Sequence, residues 1–376
     1  MTPPARQHND SLKLGIIGCG WVTEARHLPA LRRLKGAEVV AFSDISTERL
    51  NKVASLFHVK DRYSDYQQLL RDRSIDAVAV CVPTQHHAEV ALSALDAGKH
   101  VFIEKPLALQ LEQSKQLIER ARKSSCKVMV GFNMRWHRLV RQSREIIGGG
   151  SLGPLELMRT VLTARHETVP EWRKRRQLGG GVLFELAVHH FDLWRFLLRS
   201  EVEEILATSR SGPWDDETAT VTARMANGVL VTSAFSERTN ENNEIDIYGQ
   251  AGRLHVSCYH FDGLECFSSS SFPGDGRTRL RQTAHALKEL PRGIWGMRKG
   301  GDFLASYGAQ WRHFMAAIRD DTPVECSLED GERALQVVLA AAASAALRQP
   351  IKIANGARTP RATATASALE ARNRDS

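Results

Sequence analysis

An apolar run followed at once by two glycines constrains the N-terminal part of this chain more than any other feature. Residues 14–17 are Leu-Gly-Ile-Ile, and Gly18 and Gly20 follow before a helical pattern begins. Such a strand–turn–helix unit can hold a dinucleotide pyrophosphate at the helix N-terminus. Gly18 would allow the tight turn, and Gly20 would let the phosphates approach the backbone closely. Thr23 stands where a third glycine is usual. The pattern predicts a phosphate-binding turn, although short glycine-rich turns are common elsewhere.

Length and composition indicate a globular protein of two domains. The chain has 376 residues, which is more than one ordinary hydrophobic core needs. Hydrophobic residues make up 42% of the chain and charged residues 25%, as in globular proteins. No apolar run approaches the ~18 residues that span a membrane, and the polar N-terminus lacks the apolar core of a signal peptide. We therefore expect a cytoplasmic protein with no membrane partner.

The spacing of the cysteines and the distribution of charge argue against several classes of protein. The six cysteines form no C-x-x-C pair, which argues against a zinc ribbon and against a disulfide framework. The net charge is +8, but the arginines are not interleaved with stacking aromatic residues, so we expect no nucleic-acid partner. The basic run 173–176 indicates either a solvated surface or a funnel for an anionic substrate.

Two kinds of pattern succeed one another along the chain. Over residues 12–133, short apolar strands alternate with helical patterns, which predicts an N-terminal Rossmann domain with a doubly wound parallel sheet. Strands separated by short turns, such as Asn227-Gly228, then predict an open-faced, mainly antiparallel sheet with flanking helices over residues 134–355. The exposed face of this second sheet would need covering, which indicates a homodimer or homotetramer packed sheet to sheet.

Three segments show neither pattern. Residues 272–301 are rich in Gly, Pro and Arg and are predicted to form a loop or lid. The polar segments 1–11 and 356–376 are predicted to be disordered tails.

An acidic residue follows the second predicted strand. Asp44 lies 24 positions after Gly20, close to the spacing at which a carboxylate holds the adenosine ribose hydroxyls and repels a 2′-phosphate. This favours NAD over NADP. Alternatively, Asp44 caps the next helix together with Ser46.

Polar residues also follow two later strands, at the sheet edge where ligands bind in open α/β folds. The segment Val82-Pro83-Thr84 leaves one strand, and Glu104-Lys105-Pro106 leaves the next. A lysine that is partly removed from water can serve as a proton donor or acceptor. The alternative is an ordinary surface ion pair before a turn proline.

In the second domain, Glu185 and His189 are four residues apart and would share one helix face. A carboxylate beside an imidazole fixes its tautomer and raises its basicity, and Asp192 is close enough in sequence to touch His189 as well. The alternative is a capping cluster with histidines packed on the sheet. An H-E-x-x-H zinc site does not fit, and we expect no metal.

Four segments together resemble the glucose–fructose oxidoreductase / inositol dehydrogenase / rhizopine-catabolism (Gfo/Idh/MocA) family over about residues 12–353. Residues 97–107, AGKHVFIEKPL, look like its AGKHV-x-x-EKP signature, and residues 82–87, VPTQHH, look like its T-P-N-x-x-H turn. Residues 179–192 look like its GGG…D-x-x-x-H-x-x-D segment, with Glu185 where the family usually has Asp. Residues 247–252, IYGQAG, look like its I-x-G-x-x-G.

The resemblance implies roles for individual residues. Lys105 and His189 would surround the carbinol carbon of the substrate, with Glu185 in place of the family's active-site Asp. Glu104 would hold the nicotinamide end. Substrate contacts would come from Arg135, Trp172, Arg173 and His189. The residues implied at the cofactor are Gly18, Gly20, Trp21, Val22, Asp44, Val82, Pro83, Thr84, His87, Glu104 and Lys105.

The reaction that the resemblance implies is reversible hydride transfer between NAD(H) and a secondary alcohol of a sugar, an inositol or a derivative. The basic run 173–176 raises the hypothesis of an acidic sugar. Two alternatives stay open: an NAD-dependent glycosidase of the same family, and a non-catalytic NAD(P)-binding regulator. A regulator would have no need of the proton-transfer pair Lys105 and His189.

Overall fold

The chain folds into two sheets that follow one another in sequence. The computed structural model describes residues 11–270, 275–298 and 300–354, so the predicted tails lie outside the described residues except for Ser11. Within these ranges, no helix combines the length and apolar character needed to cross a membrane. All six cysteines are free.

The first sheet consists of parallel strands. They are β1 (Leu12–Ile17), β2 (Ala37–Ser43), β3 (Asp61–Tyr63), β4 (Ala77–Val80), β5 (His100–Ile103) and β6 (Val128–Val130). The helices of this part are α1 (Leu28–Leu31), α2 (Thr47–Leu56), α3 (Tyr66–Arg71), α4 (His87–Asp96) and α5 (Leu111–Arg122). The strand order is β3-β2-β1-β4-β5-β6. All four residues of β4, Ala-Val-Ala-Val, are buried, as expected for a strand covered on both faces. The predicted Rossmann fold is confirmed.

The second sheet is mixed. Its strands are β7 (Leu155–Arg165), β8 (Val202–Arg210), β9 (Thr218–Met225), β10 (Leu230–Ser236), β11 (Arg238–Gly249), β12 (Gly252–Ser257), β13 (Leu264–Ser268) and β14 (Ile351–Lys352). The order is β13-β12-β11-β7-β10-β9-β8-β14, in which only the β7–β10 pair is parallel among the described strands. Buried and exposed residues alternate along β9, so one face is covered and the other is open. The predicted open-faced, mainly antiparallel sheet is confirmed.

The remaining helices follow the first sheet in sequence, and the last two of them pack back against it. They are α6 (Arg138–Gly148), α7 (Val188–Leu198), α8 (Gly276–Arg298), α9 (Gly301–Arg319) and α10 (Leu328–Leu347). Trp311 of α9 stacks on Phe102 of β5 with a ring-centroid distance of 4.5 Å, and both side chains are fully buried. The amide of Val130 in β6 donates to the carbonyl of Cys326 at 2.9 Å. The core of the Rossmann domain is therefore completed by residues about two hundred positions further along the chain.

The prediction of a loop or lid over residues 272–301 is wrong for most of this segment. The structure has helix α8 there, although Pro291 lies inside it. The backbone amide of Thr278 donates to the Asp275 carboxylate at 2.6 Å, which satisfies one free amide at the helix start. The helix was missed because the segment is rich in Gly, Pro and Arg, and Gly and Pro are typical of loops.

Candidate active site

The glycine turn after β1 is fixed by its neighbours. Gly18 has a φ of +102°, and a Cβ there would lie 2.3 Å from the carbonyl oxygen of Cys81, so only glycine fits. The hydroxyl of Thr23 donates to the carbonyl oxygen of Gly18 at 2.7 Å. Thr23 thereby ties the first helical turn, Thr23–His27, to the end of the strand. No described atom lies within 4 Å of the Cβ position at Gly20, so the front of the turn is open.

Asp44 lies beside this turn at the end of β2. Its carboxylate accepts from the backbone amide of Cys19 at 2.8 Å and from that of Ser46 at 2.7 Å. Arg49 approaches the same carboxylate at 2.9 Å. The side chain that caps helix α2 is that of Ser46, which accepts from the amide of Arg49. Asp44 therefore braces the glycine turn, while the cap role belongs to Ser46.

His87 joins the exits of β4 and β5. One ring nitrogen lies 2.7 Å from the carbonyl oxygen of Pro106 and the other 2.8 Å from that of Val82. Burial lowers the pKa of His87, and the two carbonyls oppose that shift. Because Pro106 follows Lys105 directly, this bridge fixes the backbone that carries the lysine.

Glu104 is held by a buried histidine that sequence reasoning did not identify. His27 Nε2 lies 2.9 Å from Glu104 Oε1, and the indole N–H of Trp311 donates to His27 Nδ1 at 3.0 Å. An indole can only donate, so Nδ1 accepts and the imidazole proton is on Nε2, where it bonds to Glu104. Both ring nitrogens of His27 are therefore hydrogen-bonded, one to Glu104 and the other to Trp311.

Lys105, the next residue, reaches across to the second domain. Its ammonium donates to the backbone carbonyl of Glu185 at 2.9 Å and lies 3.7 Å from the Glu185 carboxylate. Arg173 lies 3.5 Å from the same carboxylate and 2.5 Å from that of Glu237. Burial opposes ionisation of Glu185, but Arg173 and Lys105 outweigh it and lower its pKa. The site contains a row of alternating charges: Lys105, Glu185, Arg173 and Glu237.

His189 lies next to this row. Its pKa is far below the usual value, chiefly because of burial and also because of the nearby charge of Lys105. Its Nδ1 is buried without a hydrogen-bond partner among the described residues. Within the described part of the chain, no hydrogen bond joins His189 to Glu185, so the expected carboxylate–imidazole pair does not form. Burial and the charge of Lys105 therefore favour the neutral form of His189, and its Nδ1 is left without a partner among the described residues.

Comparison with known proteins identifies the family of this chain. Residues 12–132 match the family described as "Oxidoreductase family, NAD-binding Rossmann fold", and residues 140–255 match the "GFO/IDH/MocA C-terminal domain". The chain belongs to the Gfo/Idh/MocA oxidoreductase family.

Similar proteins cover nearly the whole chain. A myo-inositol 2-dehydrogenase of Thermotoga maritima is 28% identical over 91% of this chain and 98% of its own length. An inositol 2-dehydrogenase of Rhizobium meliloti is 25% identical over 92% of this chain and 100% of its own length. The structure of a levoglucosan dehydrogenase in complex with NADH has a TM-score of 0.78 at 21% identity, covering 92% of this chain and 99% of that one. The last similarity concerns the fold alone.

Arg135 is placed differently from the expectation that it faces substrate. Its side chain lies inside the protein, and the residue is only 6% exposed. Its guanidinium binds both carboxylate oxygens of Asp192 and donates to Asp330 at 3.0 Å. Arg135 is therefore an internal link between α7 and α10, and Asp192 is occupied by it instead of touching His189.

The other predicted contact residues lie in separate segments of the chain. Thr84 is buried under the glycine segment of the second domain, where a Cβ at Gly179 would lie 2.8 Å from it. Trp21 is 68% exposed and stacks with Arg26 at 4.8 Å. The remaining ones, Val22, Val82, Pro83 and Trp172, are partly buried. Their roles at cofactor and substrate stay predictions.

The described residues contain no group of three or more His, Cys, Asp or Glu side chains arranged to hold a metal. Glu237, which pairs with Arg173 and accepts from Trp214 at 3.1 Å, was not predicted. No local signal marks it, since its partner Arg173 is 64 positions away.

Thr23 offers a direct test of the glycine turn. Thr23→Val keeps the shape but removes the donor to the buried carbonyl of Gly18, so we expect a loss of ~1–3 kcal/mol in unfolding free energy. Thr23→Ser keeps the hydroxyl and is the matched control, with less than half of that loss. Denaturant unfolding measures both. Equal stability of the valine variant and the wild-type chain would contradict the assigned hydrogen bond.

Proposed function

We propose that this chain transfers a hydride reversibly between NAD(H) and a secondary alcohol of a sugar, an inositol or a related polyol. In the oxidative direction the carbinol carbon gives up a hydride and its hydroxyl gives up a proton, so the products are a ketone, NADH and a proton. The observation that carries the proposal is His189, whose buried Nδ1 has no partner among the described residues, beside the Lys105–Glu185 pair where the two domains meet. The relatives named inositol 2-dehydrogenases support the substrate class.

The residues of the first domain fit a nicotinamide dinucleotide. The open front at Gly20 leaves room for a pyrophosphate, and the Asp44 carboxylate stands at the end of the neighbouring strand, where ribose hydroxyls would bind. Glu104 and Lys105 stand where β5 ends, toward the second domain. NAD, when bound, supplies the nicotinamide that accepts the hydride.

Two side chains act on the substrate hydroxyl, one as proton acceptor and the other as hydrogen-bond donor. His189, neutral because its pKa is strongly lowered, accepts the proton of the substrate hydroxyl. The Lys105 ammonium donates to the substrate oxygen and stabilises the negative charge that develops there. Glu185 holds Lys105 through both its carboxylate and its backbone carbonyl, which fixes the ammonium in position.

The charge balance around the basic run supports a neutral polyol more than an acidic sugar. Three of the four cations in that run are paired within the protein: Arg173 with Glu185 and Glu237, Lys174 with Glu171, and Arg176 with Asp216. A run neutralised in this way gives little attraction for an anionic substrate.

Association of copies through the open face of the second sheet is also part of the proposal. Leu206 of β8 and Leu230 of β10 are 40% and 55% exposed, and cover by a second copy would remove them from water.

Activity against pH tests the roles of His189 and Lys105. Because the pKa of His189 lies far below its usual value, kcat/KM for alcohol oxidation should not fall between about pH 8 and pH 6, where an ordinary histidine titrates. Lys105→Met should lower kcat by ~10²–10⁴-fold. It should also move the acid limb of the profile upward, since it removes a charge that lowers the pKa of His189.

Lys105→Arg is the matched control, because it keeps the positive charge. Its rate should fall, but its acid limb should stay at low pH. If Lys105→Met retains wild-type turnover on an identified substrate, the assignment of Lys105 to the reaction fails. An identical shift of the acid limb in both variants would contradict the claim that the charge of Lys105 lowers the pKa of His189.

Cofactor preference tests the role of Asp44. We expect the wild-type chain to bind NADH more tightly than NADPH. Asp44→Ser removes a charged acceptor and leaves Arg49 without its carboxylate, so NADH should bind roughly 10–100-fold more weakly and NADPH should gain relative to it. Nucleotide fluorescence measures the four dissociation constants, with Ser46→Ala as a control for loss of the helix cap. Tighter binding of NADPH by the wild-type chain would contradict the proposed preference.

A further inference from the structure

Helix α8 turns its polar face toward the protein. Thr278 is buried, and Gln282 donates to Glu265 at 2.8 Å. Further along the same helix, the carboxylate of Glu289 lies 3.7 Å from Arg138. The inward side of the helix is therefore held by hydrogen bonds and an ion pair instead of apolar packing.

The inward face continues for one more helical turn, to Gly293, where the helix backbone lies close to Phe261. Gly293 is buried, and a Cβ there would lie 2.7 Å from the ring of Phe261. The inward positions are thus 278, 282, 289 and 293, which recur at intervals of four and seven and so share one side of the helix.

The opposite face of α8 is apolar and points to solvent. Leu280, Leu287 and Ile294 recur at intervals of seven and are 76%, 65% and 46% exposed. Leu290 and Trp295 extend this outer stripe and are also exposed. At 1.5 Å per residue, the stripe from Leu280 to Trp295 is about 22 Å long. An amphipathic helix normally buries such a stripe, so its orientation here is inverted.

Positive charge accompanies the outer stripe. The helix contains six cations and one acid, Glu289, which belongs to the inward face. Arg281, Lys288 and Arg292 follow one edge of the stripe at helical spacing. All six cations are exposed: Arg277, Arg279, Arg281, Lys288, Arg292 and Arg298.

We propose that the outer face of α8 docks on an anionic lipid bilayer. The leucine, isoleucine and tryptophan side chains would enter the headgroup region, and the flanking cations would lie against lipid phosphates. Pairing of this face with the same face of a second copy is disfavoured, because it would bring the two sets of six cations together. The inference is independent of the proposed dehydrogenase reaction. It replaces the expectation of no membrane partner, which rested on the lack of an apolar run long enough to span a bilayer.

Vesicle co-sedimentation of the full chain tests the proposal. The chain should sediment with vesicles that contain phosphatidylglycerol, only weakly with pure phosphatidylcholine vesicles, and less with the former at high salt. Leu280→Ser/Leu287→Ser should weaken binding at least ~10-fold. Arg281→Gln/Lys288→Gln should weaken binding to the anionic vesicles by roughly 10- to 30-fold.

Two double variants provide matched controls. Leu56→Ser/Leu347→Ser removes two exposed leucines away from α8, and Lys35→Gln/Lys60→Gln removes two exposed lysines. Both should bind vesicles as the wild-type chain does. Equal losses in the control and α8 variants, or no sedimentation of the wild-type chain, would overturn the proposal. So would light scattering that shows an oligomer dissociated by the α8 variants, because a second copy would then cover this face.

Discussion

The contact between Lys105 and Glu185 is the interaction on which the site depends. Lys105 follows a strand of the first sheet, and Glu185 belongs to the helical turn Leu183–Ala187 that precedes α7 in the second domain. Arg173 and Glu237 extend this contact into a row of alternating charges. Removal of Arg173 would leave the fully buried carboxylate of Glu237 without its cation, and such a loss typically destabilises a protein by roughly 3–5 kcal/mol. The position of the proton-transfer groups is therefore a property of both domains together.

The cofactor side of the site has a similar long-range support. Glu104 is held by His27 from the first helical turn, and His27 is held by Trp311 from α9. Trp311 also stacks on Phe102, which lies two residues before Glu104. The C-terminal helices are thus part of the structure that fixes the end of β5, although they follow the second sheet in sequence.

The sequence predicted those features that have a local physical signal. Alternation of apolar strands with helices identified the parallel sheet, and the steric demand at Gly18 is visible in its G-x-G spacing. Arg135 was misplaced because nothing in its neighbourhood shows that Asp192 and Asp330 surround it in the fold. Helix α8 was missed because its Gly and Pro residues, among them Pro291 inside the helix, are typical of loops. Ion pairs between distant residues carry no periodicity, and only the folded chain reveals them.

Transfer of deuterium tests the central claim most directly. The chain would be incubated with NAD and with inositols and sugars that carry deuterium at a secondary carbinol carbon, and the nicotinamide ring would be analysed by NMR. Our account predicts deuterium in the reduced ring together with an equal amount of ketone. It would be contradicted if no polyol transferred deuterium although NAD was bound. Release of a sugar from a glycoside with the cofactor returned to its oxidised form would contradict it as well, since that outcome indicates a glycosidase.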